Sequence, residues 1–287
     1  MSMPPDPRFT ITLTCPDRPG IVHGLTGDLV RAGCNVVESQ QFSSPDTGAF
    51  FMRVTVDAPA GQTAEGLRAA VALSAGEFTM DLRIREDSAR MRTLILGSTD
   101  EHCVNRLLFA QRAGSLPIDV AAVVSNHPGL SELATFYGVP FHHIPVTRET
   151  KPEAEAQLEA LIAELDVELV VLARYMQIFS PQLAQSLAGR AINIHHSFLP
   201  SFKGARPYHQ AHERGVKVIG ATAHYVTDDL DEGPIIAQET IPVSHHHSAA
   251  QFVEMGREVE GRTLTQAVRW HAEHRILLDG KRTVVFH

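Results

Sequence analysis

Leu169-Val170-Val171-Leu172 is a run of four apolar residues without polar alternation, entered from a helix-patterned segment, Pro152 to Leu165. A strand with one wet face alternates, whereas a strand buried on both faces does not, so this run reads as a parallel strand inside a sheet. Working outward, the same grammar recurs at Thr93 to Leu96, Val120 to Val124 and Ala191 to Ile194. Between and after these runs lie helical patterns at Val104 to Ala113, Leu130 to Tyr137, Pro181 to Leu187, Tyr208 to Arg214 and Ala249 to about His271. Strands alternating with helices predict a doubly wound, Rossmann-like α/β domain. Pro152 and Pro181 suit a first helical turn, and Ser248-Ala249-Ala250-Gln251 matches a capping box.

The first 85 or so residues follow a different pattern. Phe9 to Thr14 reads as a strand that stops at Cys15-Pro16-Asp17-Arg18-Pro19-Gly20. Ile21, Val22, Leu25, Leu29 and Val30 then recur at helical spacing, with Gly33 and Asn35 as the stop. Val36 to Phe42 and Ala49 to Val56 flank a turn-rich connection, a second helix covers Ala64 to Leu73, and Phe78 to Arg85 alternates as a strand with one wet face. The order predicted is βαββαβ, the ferredoxin-like arrangement. Charged and small residues from Glu86 to Arg90 place the boundary, giving domains 1–86 and 87–287. Near the end, Asp279-Gly280 between Arg275 to Leu278 and Arg282 to Phe286 reads as a hairpin.

A chain of 287 residues fits two domains, and a net charge of −8 argues against nucleic acid or an anionic membrane as partner. Cys15, Cys34 and Cys103 form no CxxC pair and read as buried free thiols of a reducing compartment. The N-terminus shows no signal core and no segment reaches the length of a membrane span, so the expected location is the cytoplasm. Pro-rich residues 1–7 read as a disordered tail.

Ligands of doubly wound sheets sit outside the carboxyl ends of the strands. Asn193 and His195 stand there, two apart and therefore on one face, so an amide and an imidazole can flank one carbonyl. A carboxylate would hold the imidazole, and Asp228, Asp229, Asp231 and Glu232 crowd together after the strand Val218 to Val226. Spacing does not choose among them, and turn or capping roles are the commoner account of such residues.

Asn193 to Pro200, Gly204 to Ala211, Gly220 to Val226 and Leu230 to Pro234 resemble, in order, the motifs of the formyltransferase fold family that uses 10-formyltetrahydrofolate. The likeness covers about residues 91 to 287 and implies that Asn193, His195 and Asp231 are catalytic. It further implies that Met176, Gln177, Ile178 and Phe179, with Arg206, Thr227 and Asp228, bind the folate substrate. The first domain resembles an ACT domain through Asp17-Arg18-Pro19-Gly20-Ile21 and Gly33-Cys34-Asn35-Val36. That likeness implies an amino-acid effector near Asp17, Gly20 and Asn35, or a purely oligomerising role, in a homo-oligomer, dimer or tetramer.

The acceptor of the formyl group is argued separately. Ribonucleotide-dependent members of the family carry a Gly-Ser-Asn phosphate loop after the first strand, where this chain has Gly97-Ser98-Thr99-Asp100-Glu101. Two carboxylates there are expected to repel a phosphate. Members acting on tRNA add a C-terminal domain and basic surface, neither of which is expected of this acidic chain with its closing hairpin pattern. Water remains, and the pairing of both domain types with His195-His196 resembles the hydrolytic branch of the family, with His196 positioning the water or simply hydrogen-bonding behind the site. An amine transferase with another acceptor and a non-catalytic folate or amino-acid sensor are the competing readings. No cofactor or metal is implied: GxGxxG is absent, and His142-His143 and His245-His246-His247 read as solvated loop residues.

Overall fold

A computed structural model describes residues 7–200 and 207–287. The chain divides into two compact units, one built from residues up to Arg90 together with Glu273–His287 and the other from Met91–Ala272.

In the first unit β1 (Arg8–Pro16), α1 (Ile21–Arg31), β2 (Asn35–Ser43), β3 (Ala49–Asp57), α2 (Ala64–Ala70), α3 (Ala72–Glu77) and β4 (Asp81–Glu86) form an antiparallel sheet ordered β2-β3-β1-β4. The predicted single second helix is broken at Val71, and Phe78 belongs to the turn that closes α3 rather than to a strand. Odd-numbered β1 residues and even-numbered β3 residues pack against Ile21, Leu25, Leu29, Leu67 and Val71. The opposite face is wet along β4, where Asp81 and Arg83 are exposed as the alternation suggested, but not in the middle of the sheet, where Thr10, Thr12, Phe51, Arg53 and Thr55 are buried.

The second unit contains β5 (Met91–Gly97), α4 (His102–Arg112), β6 (Ile118–Ser125), a 3-10 turn at Pro128–Leu130, α5 (Ser131–Tyr137), β7 (Phe141–His143), α6 (Lys151–Glu164), β8 (Leu169–Leu172), α7 (Pro181–Ser186), β9 (Ala191–His195), α8 (Pro207–Glu213), β10 (Val218–Tyr225), β11 (Ile235–Pro242) and α9 (Ala249–Ala272). The sheet order is β11-β10-β9-β8-β5-β6-β7, parallel from β9 to β7 and antiparallel at β9-β10 and β10-β11. Helices α6 and α7 pack on the face that carries Leu94, Val170 and Ala191. Helices α8 and α9 meet Ile219 on the other face through Tyr208 and Phe252. The capping box closes as the sequence suggests, with Ser248 N–H donating to Gln251 Oε1 at 2.8 Å and Gln251 N–H donating to Ser248 Oγ at 3.3 Å.

The last elements, β12 (Ile276–Asp279) and β13 (Arg282–Val285), form the expected hairpin, but it belongs to the first unit rather than the second. Leu277 and Phe286 cluster on Phe51, and Asp279 accepts hydrogen bonds from Ser44 and Thr47 at 2.8 and 2.7 Å. A face too apolar at Phe51 to stand in water is the physical reason that the chain returns. All three cysteines are buried and free. Among the described residues, no helix is long and apolar enough to cross a membrane.

Candidate active site

Asn193 and His195 project from one face of β9, and the register of β10 sets His224 opposite Asn193 and Thr222 opposite His195. His224 Nδ1 donates to the Tyr225 carbonyl at 2.9 Å, which turns Nε2 toward the Asn193 amide nitrogen at 3.3 Å. His224 thus joins the pair that sequence reasoning had isolated. It stood in the quoted motif, but its facing partner becomes visible only when the strand register is known.

Because β10 is antiparallel to β9, their two carboxyl ends do not lie side by side. The chain after Tyr225 instead folds back over the sheet. Val226 N–H donates to the Ala191 carbonyl and Tyr225 N–H to the Pro234 carbonyl, both at 2.9 Å, which closes the loop. A Cβ on Gly233 would stand 1.7 Å from the Tyr225 carbonyl oxygen, so the closure demands glycine. Asp231 sits in this loop at φ +58°, a left-handed conformation that Asp adopts more readily than most residues.

The fold-back brings Asp231 Oδ1 to 3.2 Å from His195 Nδ1 and 3.7 Å from His224 Nε2. Burial alone would raise the Asp231 carboxyl. Hydrogen bonding and positive charge from His195 and His224 outweigh it and hold the group well below the usual carboxylate range. His195 is 5% exposed, and its Nε2 is buried with no hydrogen-bond partner among the described residues. A ring nitrogen backed by a carboxylate through its other nitrogen, beside an amide donor, can receive a developing oxyanion or carry a proton.

These groups border a cavity of about 300 Å³ whose walls are Met176, Gln177, Ile178 and Phe179 on one segment and Val226 to Asp231, including Thr227 and Asp228, on another. Ser98 fixes the first wall: its Oγ accepts from Met176 N–H at 3.0 Å and donates to Asn126 Oδ1 at 2.6 Å. Met176 and Ile178 remain more than half exposed. Arg206 lies outside the described residues, as do residues 1–6 of the proline-rich tail.

His196 follows His195 with its ring centroid 5.0 Å away, and turns toward Tyr208, 6.5 Å off. Burial, with the charges of Arg174 and His195, lowers its pKa to about 4. Beyond it lies a polar cluster that sequence reasoning missed. Glu260 of α9, 1% exposed, accepts from Tyr208 Oη at 2.7 Å, faces His102 Nε2 at 2.8 Å and has Arg174 Nε at 3.5 Å. Arg174 and Arg257 each reach Asp100 at 3.3 Å. Asp100 therefore has its charge matched, which revises the expectation that it repels anions; the loop is instead closed by ion pairs. His102, Cys103 and Glu260 offer ligand atoms within 4.8 Å of one another, but the Arg174 guanidinium beside Glu260 already supplies the cation there.

Other expectations resolve differently. His142 and His143 are not loop residues but lie in the short edge strand β7. His245 and His246 hold their ring centroids 3.9 Å apart, tilted by 41°, before α9. Asp17, Gly20 and Asn35 are not brought together within one chain. Pro16 pairs with Ala49 and Asn35 with Asp57, so they lie at opposite ends of β3, eight residues or about 26 Å apart at ~3.3 Å per residue. Gly20 has φ +101° at the start of α1, which accounts for glycine at that turn.

Residues 91–268 match the formyl transferase family model and residues 9–72 the ACT domain model. The formyltetrahydrofolate deformylase of Corynebacterium sp. (strain P-1) is 51% identical over 282 residues, spanning 97% of this chain and 98% of that protein. The crystal structure of formyltetrahydrofolate deformylase from Burkholderia mallei superposes with a TM-score of 0.94 at 47% identity, covering 98% of this chain and all of that one. By contrast, glycinamide ribonucleotide transformylase 1 from Symbiobacterium toebii, at 32% identity and a TM-score of 0.64, accounts for only 69% of this chain. Likeness over the whole length, ACT domain included, is what separates the two groups, and by it the chain belongs to the formyltetrahydrofolate deformylase family.

Proposed function

We propose that the chain hydrolyses 10-formyltetrahydrofolate to formate and tetrahydrofolate, with Asn193, His195 and Asp231 as catalytic residues. The observation that carries this reading is the buried, unpartnered Nε2 of His195, backed at Nδ1 by Asp231 and set beside the Asn193 amide. Water attacks the formyl carbon, a C–O bond forms, and the carbonyl electrons move to oxygen, where the Asn193 amide and His195 receive the charge. Collapse of the tetrahedral intermediate breaks the C–N10 bond. N10 takes one proton of the water through His195, and the other is released as formic acid ionises, so tetrahydrofolate, formate and a proton balance the equation without a cofactor. His196, with a pKa of about 4, is neutral at pH 7 and accepts a hydrogen bond from the attacking water. Met176 to Phe179 and Val226 to Asp231 hold the folate head.

Formate released in this way feeds purine synthesis in the cytoplasm. In the first unit, the edge strand β2 exposes Val37 and Phe42, an arrangement suited to pairing with a second copy in a homo-oligomer. Only such an assembly can unite Asp17 and Gly20 of one copy with Asn35 of another around an amino-acid effector. Light scattering with and without a panel of amino acids tests this; a monomer throughout refutes it.

Incubation with 10-formyltetrahydrofolate and no acceptor tests the activity. Equal amounts of formate and tetrahydrofolate are expected. Turnover that requires an added amine would make the chain a transferase, and binding without turnover would make it a sensor.

A further inference from the structure

Met176 to Phe179 and Val226 to Asp231 line the part of the cavity assigned to folate; Arg174 and His196 line it as well, with Glu260 and Tyr208 behind them. The side of Arg174 and His196 is the one left to a nucleophile aimed at a formyl carbon over Asn193 and His195.

On that side stands Arg174, with three features that need a joint explanation. It holds a left-handed backbone, φ +62°, although it is neither glycine nor a small polar residue. Its guanidinium, 15% exposed, is pinned between Asp100 at 3.3 Å and Glu260 at 3.5 Å. Its Nη1 is nevertheless buried without a hydrogen-bond partner among the described residues, and its Nε meets Glu260 as an ion pair without hydrogen-bond geometry. A cation has been brought to a buried carboxylate at the cost of backbone strain and of an unused donor.

An amine acceptor carries N–H donors and must give up a proton as it attacks. Glu260, buried behind Arg174, is the carboxylate that could receive those donors if Arg174 did not already face it. We propose that Arg174 is the specificity-determining residue of this enzyme: its guanidinium occupies the place beside Glu260 and His196 that an acceptor amine would take, and so leaves water as the acceptor. The inference rests on the hydrolytic reading above and adds the reason for it. Burial would raise the Glu260 carboxyl, but the hydrogen bond from His102, the charge of Arg174 and the Tyr208 hydroxyl lower it, which also makes it a poor base toward an amine. Excluding the wrong acceptor by a resident side chain is specificity through a blocked place rather than through added affinity for the right one.

The test is competition between water and a small amine. Hydroxylamine takes the formyl group by forming a C–N bond as the C–N10 bond breaks; its proton passes to N10, and formohydroxamate, coloured with ferric ion, appears in place of formate. The full-length protein and Arg174→Gly, whose backbone suits φ +62°, are assayed with 10-formyltetrahydrofolate and rising hydroxylamine, corrected for the enzyme-free rate. Thermal melting checks the fold. The wild type is expected to give formate almost alone, and Arg174→Gly to raise the ratio of hydroxamate to formate at least tenfold, increasing with hydroxylamine. Asp100→Asn, which loosens one anchor of Arg174, should shift the ratio in the same direction and decides the matter if Arg174→Gly does not fold. An unchanged ratio in the folded variants overturns the proposal. So does loss of both products in folded Arg174→Gly, which would place Arg174 in the chemistry itself. Absence of formate from the wild type without amine refutes the hydrolytic reading instead, so the two failures are distinguishable.

Discussion

Asp231 and His196 answer acid over different ranges because their neighbours shift them for different reasons. Burial lowers His196 from an ordinary 6.5 to about 4, so the unfolded chain takes up a proton there first as pH falls. The associated stability is complete above pH 6.5 and is lost between about 6.5 and 4, a change on the order of 3 kcal/mol at about 1.4 kcal/mol per unit. His196→Gln should flatten the denaturation midpoint across that window, as urea titrations at several pH values would reveal. Asp231 is shifted the opposite way relative to its charge, so its contribution persists down to about pH 3.8 and disappears only below it. Asp231→Asn keeps the shape of the loop but removes the acceptor for His195 Nδ1. Folate binding by calorimetry should survive while kcat falls by about 10²–10⁴, and unchanged turnover would remove Asp231 from the mechanism.

Two close approaches hold the elements that carry these side chains. Gly233 lets the Asp231 loop press on Tyr225, and Gly256 lets the Tyr208 ring lie on α9, where a Cβ would come within 2.1 Å of Tyr208 Cζ. Gly233→Ala should lower kcat more than it weakens folate binding, because it displaces the carboxylate from His195 while the Met176 to Phe179 wall stays in place. Gly256→Ala should push Tyr208 off Glu260 and lower the melting temperature, an effect read by calorimetry. Runs such as Leu169 to Leu172 were legible in the sequence because burial on both faces removes alternation. Strand β7 was not, being three residues long at the sheet edge and containing His142 and His143. Strand β11 escaped too: Ile235 to Pro242 follows the glycine-proline turn and ends in proline, and its antiparallel pairing is set by β10. Asn193 and His195 could be placed on one face from their spacing. The cluster around Glu260 joins His102, Arg174 and Tyr208 across as many as 158 residues of sequence, and no local pattern announces a contact at that range.

At the scale of the whole molecule, the hairpin from Ile276 to Val285 supplies what the first βαββαβ segment lacks. Phe286→Ala removes part of the cover of Phe51 and should cost about 3 kcal/mol, within the range for emptying a buried aromatic position. Hydrogen exchange of the β3 amides around Phe51 should accelerate in that variant, while amides of β5 and β8 keep their protection. Equal acceleration in both places would mean that the two units do not unfold separately.

The first unit is also discontinuous in sequence, since Glu273–His287 completes it only after all of Met91–Ala272. On a ribosome the residues that cover Phe51 are therefore made last, and the ferredoxin-like sheet must wait with that side chain bare while some 180 further residues are added, at about 5–20 residues per second. For about ten seconds or more of synthesis, the first-made unit is the unfinished one, and a chain cut short at Ala272 would carry the whole second unit together with a sheet still open to a chaperone or to another nascent copy.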